Sequence, residues 1–308
     1  MEVVVEASDL QKRFGDVRAV DGLDLAVERG DVFGFLGPNG AGKSTTIRMI
    51  MGLVRPSAGT VRVFGYDVWR DRRRALARVG ALVETPGFYR YLSGRQNLWL
   101  LSELSGGATR EAIDLALKRA GLADRADDKV KAYSHGMRQR LGIAQALVCE
   151  PELVVLDEPT DGLDPQGMKE VRELISGLAR DQGMTVFLSS HLLHEVEQVC
   201  TKVAVIHHGK QMGSGPVAEL LSGGGRVQIT VDRPARAAAA LAKLDFVTVS
   251  AVRDDSIIAE VKDGRTAEVN RLLVAGGFEV SAIVPKRTSL EEFYFSLTGP
   301  EDGKANPA

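Results

Sequence analysis

The strongest chemical signal in the chain is the segment Gly37-Pro38-Asn39-Gly40-Ala41-Gly42-Lys43-Ser44-Thr45. It fits G-x-x-x-x-G-K-[ST], a loop whose backbone N–H groups wrap the phosphates of a nucleotide. Lys43 is placed to neutralise the β- and γ-phosphates, and Ser44 to offer its hydroxyl to Mg²⁺. A second signal is Asp157-Glu158, which ends the apolar run Leu153-Val154-Val155-Leu156 between Pro151 and Pro159. Asp157 suits the coordination shell of Mg²⁺, and Glu158 suits the orientation or deprotonation of an attacking water. Side chains alternate along a strand, so these two cannot point the same way unless the chain turns there. The third is His191, just past the run Thr185-Val186-Phe187-Leu188. There it is either a reporter of the γ-phosphate or a satisfied structural histidine. His191 and His194 have helical spacing but no third ligand, so a metal site is rejected. His207 and His208 are adjacent on a predicted strand and are expected to face opposite ways.

These groups need a scaffold that brings them to one edge. Val32-Phe33-Gly34-Phe35-Leu36 reads as a buried strand and residues 43 to about 53 as a helix. The phosphates would sit at that helix's N-terminus, where the dipole and free N–H groups favour anions. Residues 2 to about 30 alternate apolar and polar, with turns predicted at Gly15-Asp16 and Asp21-Gly22. Phe14, in this region, is suited either to stacking on adenine or to filling the sheet. Residues 86–140 read as a helical insertion, with predicted helices over 97–104 and 110–120 separated by Gly106-Gly107. Ser134 and Gly136 open a further helix running to about Cys149, where backbone N–H groups could meet another phosphate.

The small residues Ser222-Gly223-Gly224-Gly225 mark a domain boundary. Beyond it the order strand, helix, strand, strand, helix, strand is that of a split βαβ, ferredoxin-like domain over 226–299. A last helix starts at Ser289, with Glu292 completing a capping box. Residues 300–308 are expected to be disordered.

Composition narrows the function classes. Hydrophobic residues make up 44% and charged residues 26%, ordinary for a globular chain. The net charge of −2 gives no basic footprint for nucleic acid. Arg70, Arg72, Arg73, Arg74 and Arg78 form a local exception, read as a solvated face. Cys149 and Cys200 provide neither a disulfide framework nor metal-ligand spacing, which suits a reducing compartment. Met1-Glu2 with the short run Val3–Val5 is no signal peptide, and no 18 apolar residues run together. Any membrane role must therefore be borrowed from a partner.

In this order the motifs resemble the nucleotide-binding subunit of ATP-binding-cassette (ABC) transporters, over about residues 2–220. Gly37–Thr45 matches Walker A, and residues 153–158 match Walker B with its catalytic Glu. Tyr133-Ser134-His135-Gly136-Met137-Arg138-Gln139-Arg140 looks like a variant of the Leu-Ser-Gly-Gly-Gln signature. Gly162-Leu163-Asp164-Pro165 resembles the D-loop, His191 falls at the switch histidine, and Phe14 corresponds to the adenine-stacking aromatic. Two departures stand out: Glu84 occupies a position that is usually Gln, near Mg²⁺, and His135 and Met137 replace Gly and Gln. A carboxylate at 84 could bind the metal but would repel ATP in its absence.

The resemblance implies an α/β P-loop NTPase cassette over residues 1–221, with a mixed-sheet core, an antiparallel β subdomain and a helical subdomain at about 86–140. It implies ATP and Mg²⁺ as ligands, the metal held by Ser44, Asp157 and Glu84. Two such subunits, copies or close relatives, would clamp each ATP between one phosphate loop and the other chain's Ser134 and Gly136. The partners implied are an integral-membrane permease and no nucleic acid, with the subunit peripheral on the cytoplasmic face of the cell membrane. The 79–97 stretch and the C-terminal domain look like the exporter branch associated with resistance to peptide antibiotics and drugs. A soluble relative acting on ribosomes or DNA would usually carry two cassettes or a long coiled coil, and neither is present. A third possibility is a regulator whose C-terminal domain binds a small ligand.

Overall fold

The computed structural model describes residues 2–104, 106–221, 225–286 and 289–298. The chain divides into two compact units, residues 1–216 with 294–308, and residues 217–293.

The first unit is built on two sheets. Strands β1 (Val3–Phe14) and β2 (Val17–Glu28) form a long antiparallel pair. With β4 (Ala58–Val63) and β5 (Tyr66–Asp67) they complete a four-stranded sheet in the order β2-β1-β4-β5. The turn at Gly15-Asp16 is present, but the one predicted at Asp21-Gly22 is a bulge within β2. There Leu10 pairs with Leu23 while Gln11 pairs with Asp21, so Gly22 is the extra residue.

The core sheet has six strands in the order β10-β9-β3-β8-β7-β6. Its centre is β3 (Val32–Leu36), which pairs in parallel with β8 (Thr185–Ser190) and β9 (Lys202–His207) and is buried throughout. Outside β8 lie β7 (Leu153–Leu156) and β6 (Val79–Leu82), and β10 (Lys210–Pro216) adds an antiparallel edge. Strands covered on both faces read as unbroken apolar runs, which is why β3 and β7 are visible in sequence. Phe187 stacks on Phe33 at 5.7 Å between ring centres and also meets Phe35.

Helix α1 (Lys43–Ile50) leaves the end of β3 and stops earlier than the predicted residue 53, because residues 51–54 fold back onto the carbonyls of Ile47, Arg48 and Met49. Helix α2 (Arg72–Leu76) precedes β6. The helical insertion consists of α3 (Gly94–Glu103), α4 (Arg110–Arg119) and the start of α5 (His135–Leu147), whose later turns pack on β6. Helices α6 (Pro165–Gln182) and α7 (Leu193–Val199) flank β8. Ser93 and Gln96 form a complete capping box on α3, and Asp164 with Pro165 starts α6.

The second unit begins with α8 (Val217–Leu221), ahead of the boundary expected at 222–225. Residues 222–224 lie outside the described residues. It continues as β11 (Arg226–Val231), α9 (Pro234–Leu241), β12 (Val247–Val252), β13 (Ser256–Val261), α10 (Thr266–Ala275) and β14 (Val280–Pro285). These strands form one antiparallel sheet in the order β12-β13-β11-β14. That is the order a split βαβ topology requires. Its core includes Val227, Ile229, Ile257 and Ala259 of the sheet, with Leu241 of α9 and Leu273 of α10. Helix α11 (Leu290–Thr298) begins at the Ser289 cap, whose hydroxyl accepts from Glu292 N–H, and its residues from Tyr294 on belong to the first unit. The tail expected to be disordered lies outside the described residues.

Candidate active site

The phosphate-type loop joins β3 to α1 at the carboxyl edge of the core sheet. Gly37, Ala41 and Gly42 are buried, whereas Pro38, Asn39 and Gly40 are exposed at the loop's crest. Gly42 caps α1 with φ +110°, and a Cβ there would lie 2.4 Å from the carbonyl oxygen of Ala19. Only glycine satisfies both demands. Lys43, 5% exposed, donates from Nζ to the carbonyls of Gly37 at 2.7 Å and Pro38 at 3.1 Å. Ser44 and Thr45 follow in the first turn of α1, half-buried.

Strand β7 ends at Leu156, and the chain turns sharply at Glu158, which has φ +48°. This turn resolves the alternation problem: Asp157 and Glu158 face the same cavity. Ser189, fully buried at the end of β8, fixes both residues. Its hydroxyl donates to Asp157 Oδ1 at 2.6 Å and accepts from Glu158 N–H at 2.9 Å. Glu158 Oε1 lies 3.0 Å from Lys43 Nζ, and its Oε2 lies 2.9 Å from His191 Nδ1. The backbone N–H of His191 donates to the same Oε2 at 3.3 Å. With Glu158 ionised, His191 Nδ1–H is the donor, which leaves Nε2 to face other groups.

A cavity of about 300 Å³ lies here, lined by Ser44, Glu84, Thr85, His135, Gln139, Asp157, Glu158, Asp161 and Gly162. Glu84, just beyond β6, has φ +70° and pairs with Arg48 of α1. Among the described residues no group of three His, Cys, Asp or Glu side chains is placed to hold a metal alone. A cation here must draw on the Ser44 hydroxyl beside the carboxylates, a set of hard oxygen donors that fits Mg²⁺.

Other expected site residues lie apart. Phe14 ends β1, half exposed at 51%, with Lys12 Nζ 4.8 Å from its ring centre. The exposed Ser134 is the N-cap of α5 and accepts from Met137 N–H at 3.1 Å. Gly136 packs toward Gly167 of α6. Of this signature-like segment it is His135 and Gln139, not Ser134, that line the cavity of their own chain.

The expectation for His207 and His208 is overturned. The strand ends at His207, and His208 takes φ +48°, so their rings come within 4.1 Å instead of facing apart. The arginine run is mostly exposed, with Arg78 held by Glu152 at 2.7 Å and lying over Phe64, and Arg74 near Asp71. Sequence reasoning gave no role to Ser189, Arg48, Gln139 or Asp161. Only Ser189 carried a signal, its place at the end of a buried strand.

Comparison with known proteins gives three consistent results. Residues 20–161 match the family model described as ABC transporter. The chain is 38% identical over 301 residues to a bacitracin transport ATP-binding protein of Bacillus licheniformis, covering 97% of this chain and 98% of that one. It is also 38% identical to a daunorubicin resistance ATP-binding protein of Streptomyces coeruleorubidus, over 97% of each chain. Among solved structures, cbiO1 from Clostridium perfringens, part of the ABC transporter complex cbiONQ, superposes with a TM-score of 0.65 at 27% identity. That match covers 71% of this chain and 91% of the other.

Proposed function

The chain belongs to the ABC transporter family of ATP-binding proteins, and from that premise we propose that it is the ATP-hydrolysing motor of a membrane exporter for drugs or peptide antibiotics. The observation that carries the proposal is the linked set Lys43–Glu158–His191 beside Ser44 and Asp157. Lys43 would meet the β- and γ-phosphates, and Glu158 would take the proton of the attacking water. His191 holds the Glu158 carboxylate from the other side. Ser44, Asp157 and Glu84 would hold Mg²⁺, which when bound offsets phosphate charge.

Glu158 is engaged with Lys43 in this structure, so a triphosphate must compete for that ammonium. The same competition turns Glu158 toward water and His191, a useful coupling of binding to base release. The exposure of the N-cap Ser134 and of His135, with Gly136 half-buried behind them, supports a role for Ser134 and Gly136 in a second copy's site. Helix N-termini keep N–H groups that can donate to the phosphate of a nucleotide bound on another chain.

No described helix is long and apolar enough to cross a membrane. Passage of cargo therefore falls to an integral-membrane permease, with this subunit bound to its cytoplasmic face. The helical insertion offers a docking surface: Tyr91 is 67% exposed, Trp99 54% and Leu104 85%. The roles named for the relatives, bacitracin transport and daunorubicin resistance, support export over action on ribosomes or DNA. The test is isolation from solubilised membranes through an affinity tag. A polytopic membrane protein should co-purify, and recovery with ribosomes or DNA instead would contradict the proposal.

A further inference from the structure

Glu84 poses an electrostatic problem, because it lines the same cavity as Asp157, Glu158 and Asp161, where a triphosphate must also fit. Four carboxylates around one phosphate-binding cavity repel the nucleotide unless their charge is offset. Glu158 is offset by Lys43, and Asp157 accepts from Ser189. Glu84 is offset by Arg48, which reaches it from α1. Arg48 is four residues beyond Ser44, so the two occupy neighbouring turns on one helix face. Glu84 therefore lines one cavity with Ser44 while its carboxylate is paired with Arg48, one turn further along the same helix. The backbone at Glu84, with φ +70°, fixes where that side chain starts.

Resting on the ATP-binding reading of this cavity, we infer that Arg48 is a positioning residue that parks the Glu84 carboxylate away from the phosphates until a divalent cation draws it in. The pair is a charge device suited to a carboxylate, since a neutral glutamine could accept a hydrogen bond from Arg48 but would bring no charge to offset. Arg48 touches Glu84 and acts through it. Glu84 is mostly exposed and Arg48 partly so, and solvent screens the pair, so the expected effects are moderate.

The test is equilibrium binding of a non-hydrolysable ATP analogue, in EDTA and in saturating Mg²⁺, to wild type, Arg48→Gln, Glu84→Gln and the double variant. In EDTA, Arg48→Gln should weaken binding roughly three- to ten-fold. Glu84→Gln should abolish that loss, leaving less than about a two-fold effect of Arg48→Gln in its background. Saturating Mg²⁺ should shrink the Arg48→Gln effect, and Arg48→Lys should bind close to wild type. An equal loss on Arg48→Gln in the wild-type and Glu84→Gln backgrounds would overturn the inference, since Arg48 would then act on phosphate or on the fold. Unchanged binding by Arg48→Gln in EDTA would overturn it too. A wild-type chain that binds no nucleotide, with Lys43→Ala indistinguishable from it, would remove the ATP-binding reading and this inference together.

Discussion

The two units treat polar chemistry in opposite ways. In the first, Lys43, Asp157 and Ser189 are buried at the carboxyl edge of a parallel sheet, with exposures of 5%, 7% and 0%. In the second, the buried polar residue among those described is Ser256, and the remainder of the core is aliphatic or aromatic. Backbone strain divides likewise. Glu84, Glu158 and His208 hold positive φ in the first unit, and no described non-glycine residue of the second does so. His208 does not line the cavity, and neither do Asp9, Phe64 and Glu150, which share the feature, so strain alone does not mark a site. Strain next to buried charge does, as at Glu158 beside Asp157 and Lys43, because neither persists unless the surrounding fold over-determines it. The second unit is a packed module; the first is a packed module with chemistry installed at one edge.

The sharpest way to break this contrast is Glu158→Gln. ATP turnover should fall about 10²- to 10³-fold while nucleotide binding persists, measured by phosphate release and equilibrium binding. Turnover within two-fold of wild type would remove Glu158 from its role. The complementary change lies in the second unit: Ile229→Ala should cost about 2–5 kcal/mol of that unit's stability. Calorimetry should show its transition lowered, with turnover per folded molecule unchanged. A matching drop in turnover would erase the division between the units.

A smaller effect is expected for Ser189→Ala, which leaves Asp157 and the Glu158 N–H without their shared partner. Turnover should fall roughly ten-fold, in line with a net loss of about 0.5–1 kcal/mol for each of the two hydrogen bonds. Comparable turnover would mean that β7 holds the two carboxylates unaided. The smallest effect concerns acid stability. Hydrogen bonds from Arg29 and Arg78 hold the Glu152 carboxyl below its usual range, joining residues distant in sequence. Its folded pKa is depressed, so the stabilisation is present above the unfolded value and fades as pH falls through the lowered folded one. Glu152→Gln should therefore narrow the difference in melting temperature of the first unit between pH 6 and pH 3. An unaltered difference would show that the network contributes nothing measurable.

How much of this was legible in sequence follows from the range of each interaction. The phosphate-type loop, β3, β7 and the second unit's element order depend on local pattern and appear where expected. The bulge at Gly22 was read as a turn because Asp-Gly has the same local chemistry in both settings. Arg48 was invisible because its partner is 36 positions away and nothing in an α1 pattern requires an arginine there. The ring contact of His207 and His208 depends on where β9 stops, a boundary that alternation along a strand does not define. Phe246 and Phe278 stand just outside β12 and β14, their rings beneath the guanidiniums of Arg265 and Arg233 at 3.6 and 5.1 Å, contacts that no local pattern announces.

The central claim is that ATP completes the site by bringing a second chain's α5 N-terminus onto the bound triphosphate. Analytical ultracentrifugation of Glu158→Gln with ATP and Mg²⁺ tests it most directly. The account predicts a dimer with ATP, a monomer with ADP, and loss of the dimer when Ser134 is replaced by a bulky residue. A chain that stays monomeric with ATP at high concentration, while binding it, would contradict the claim.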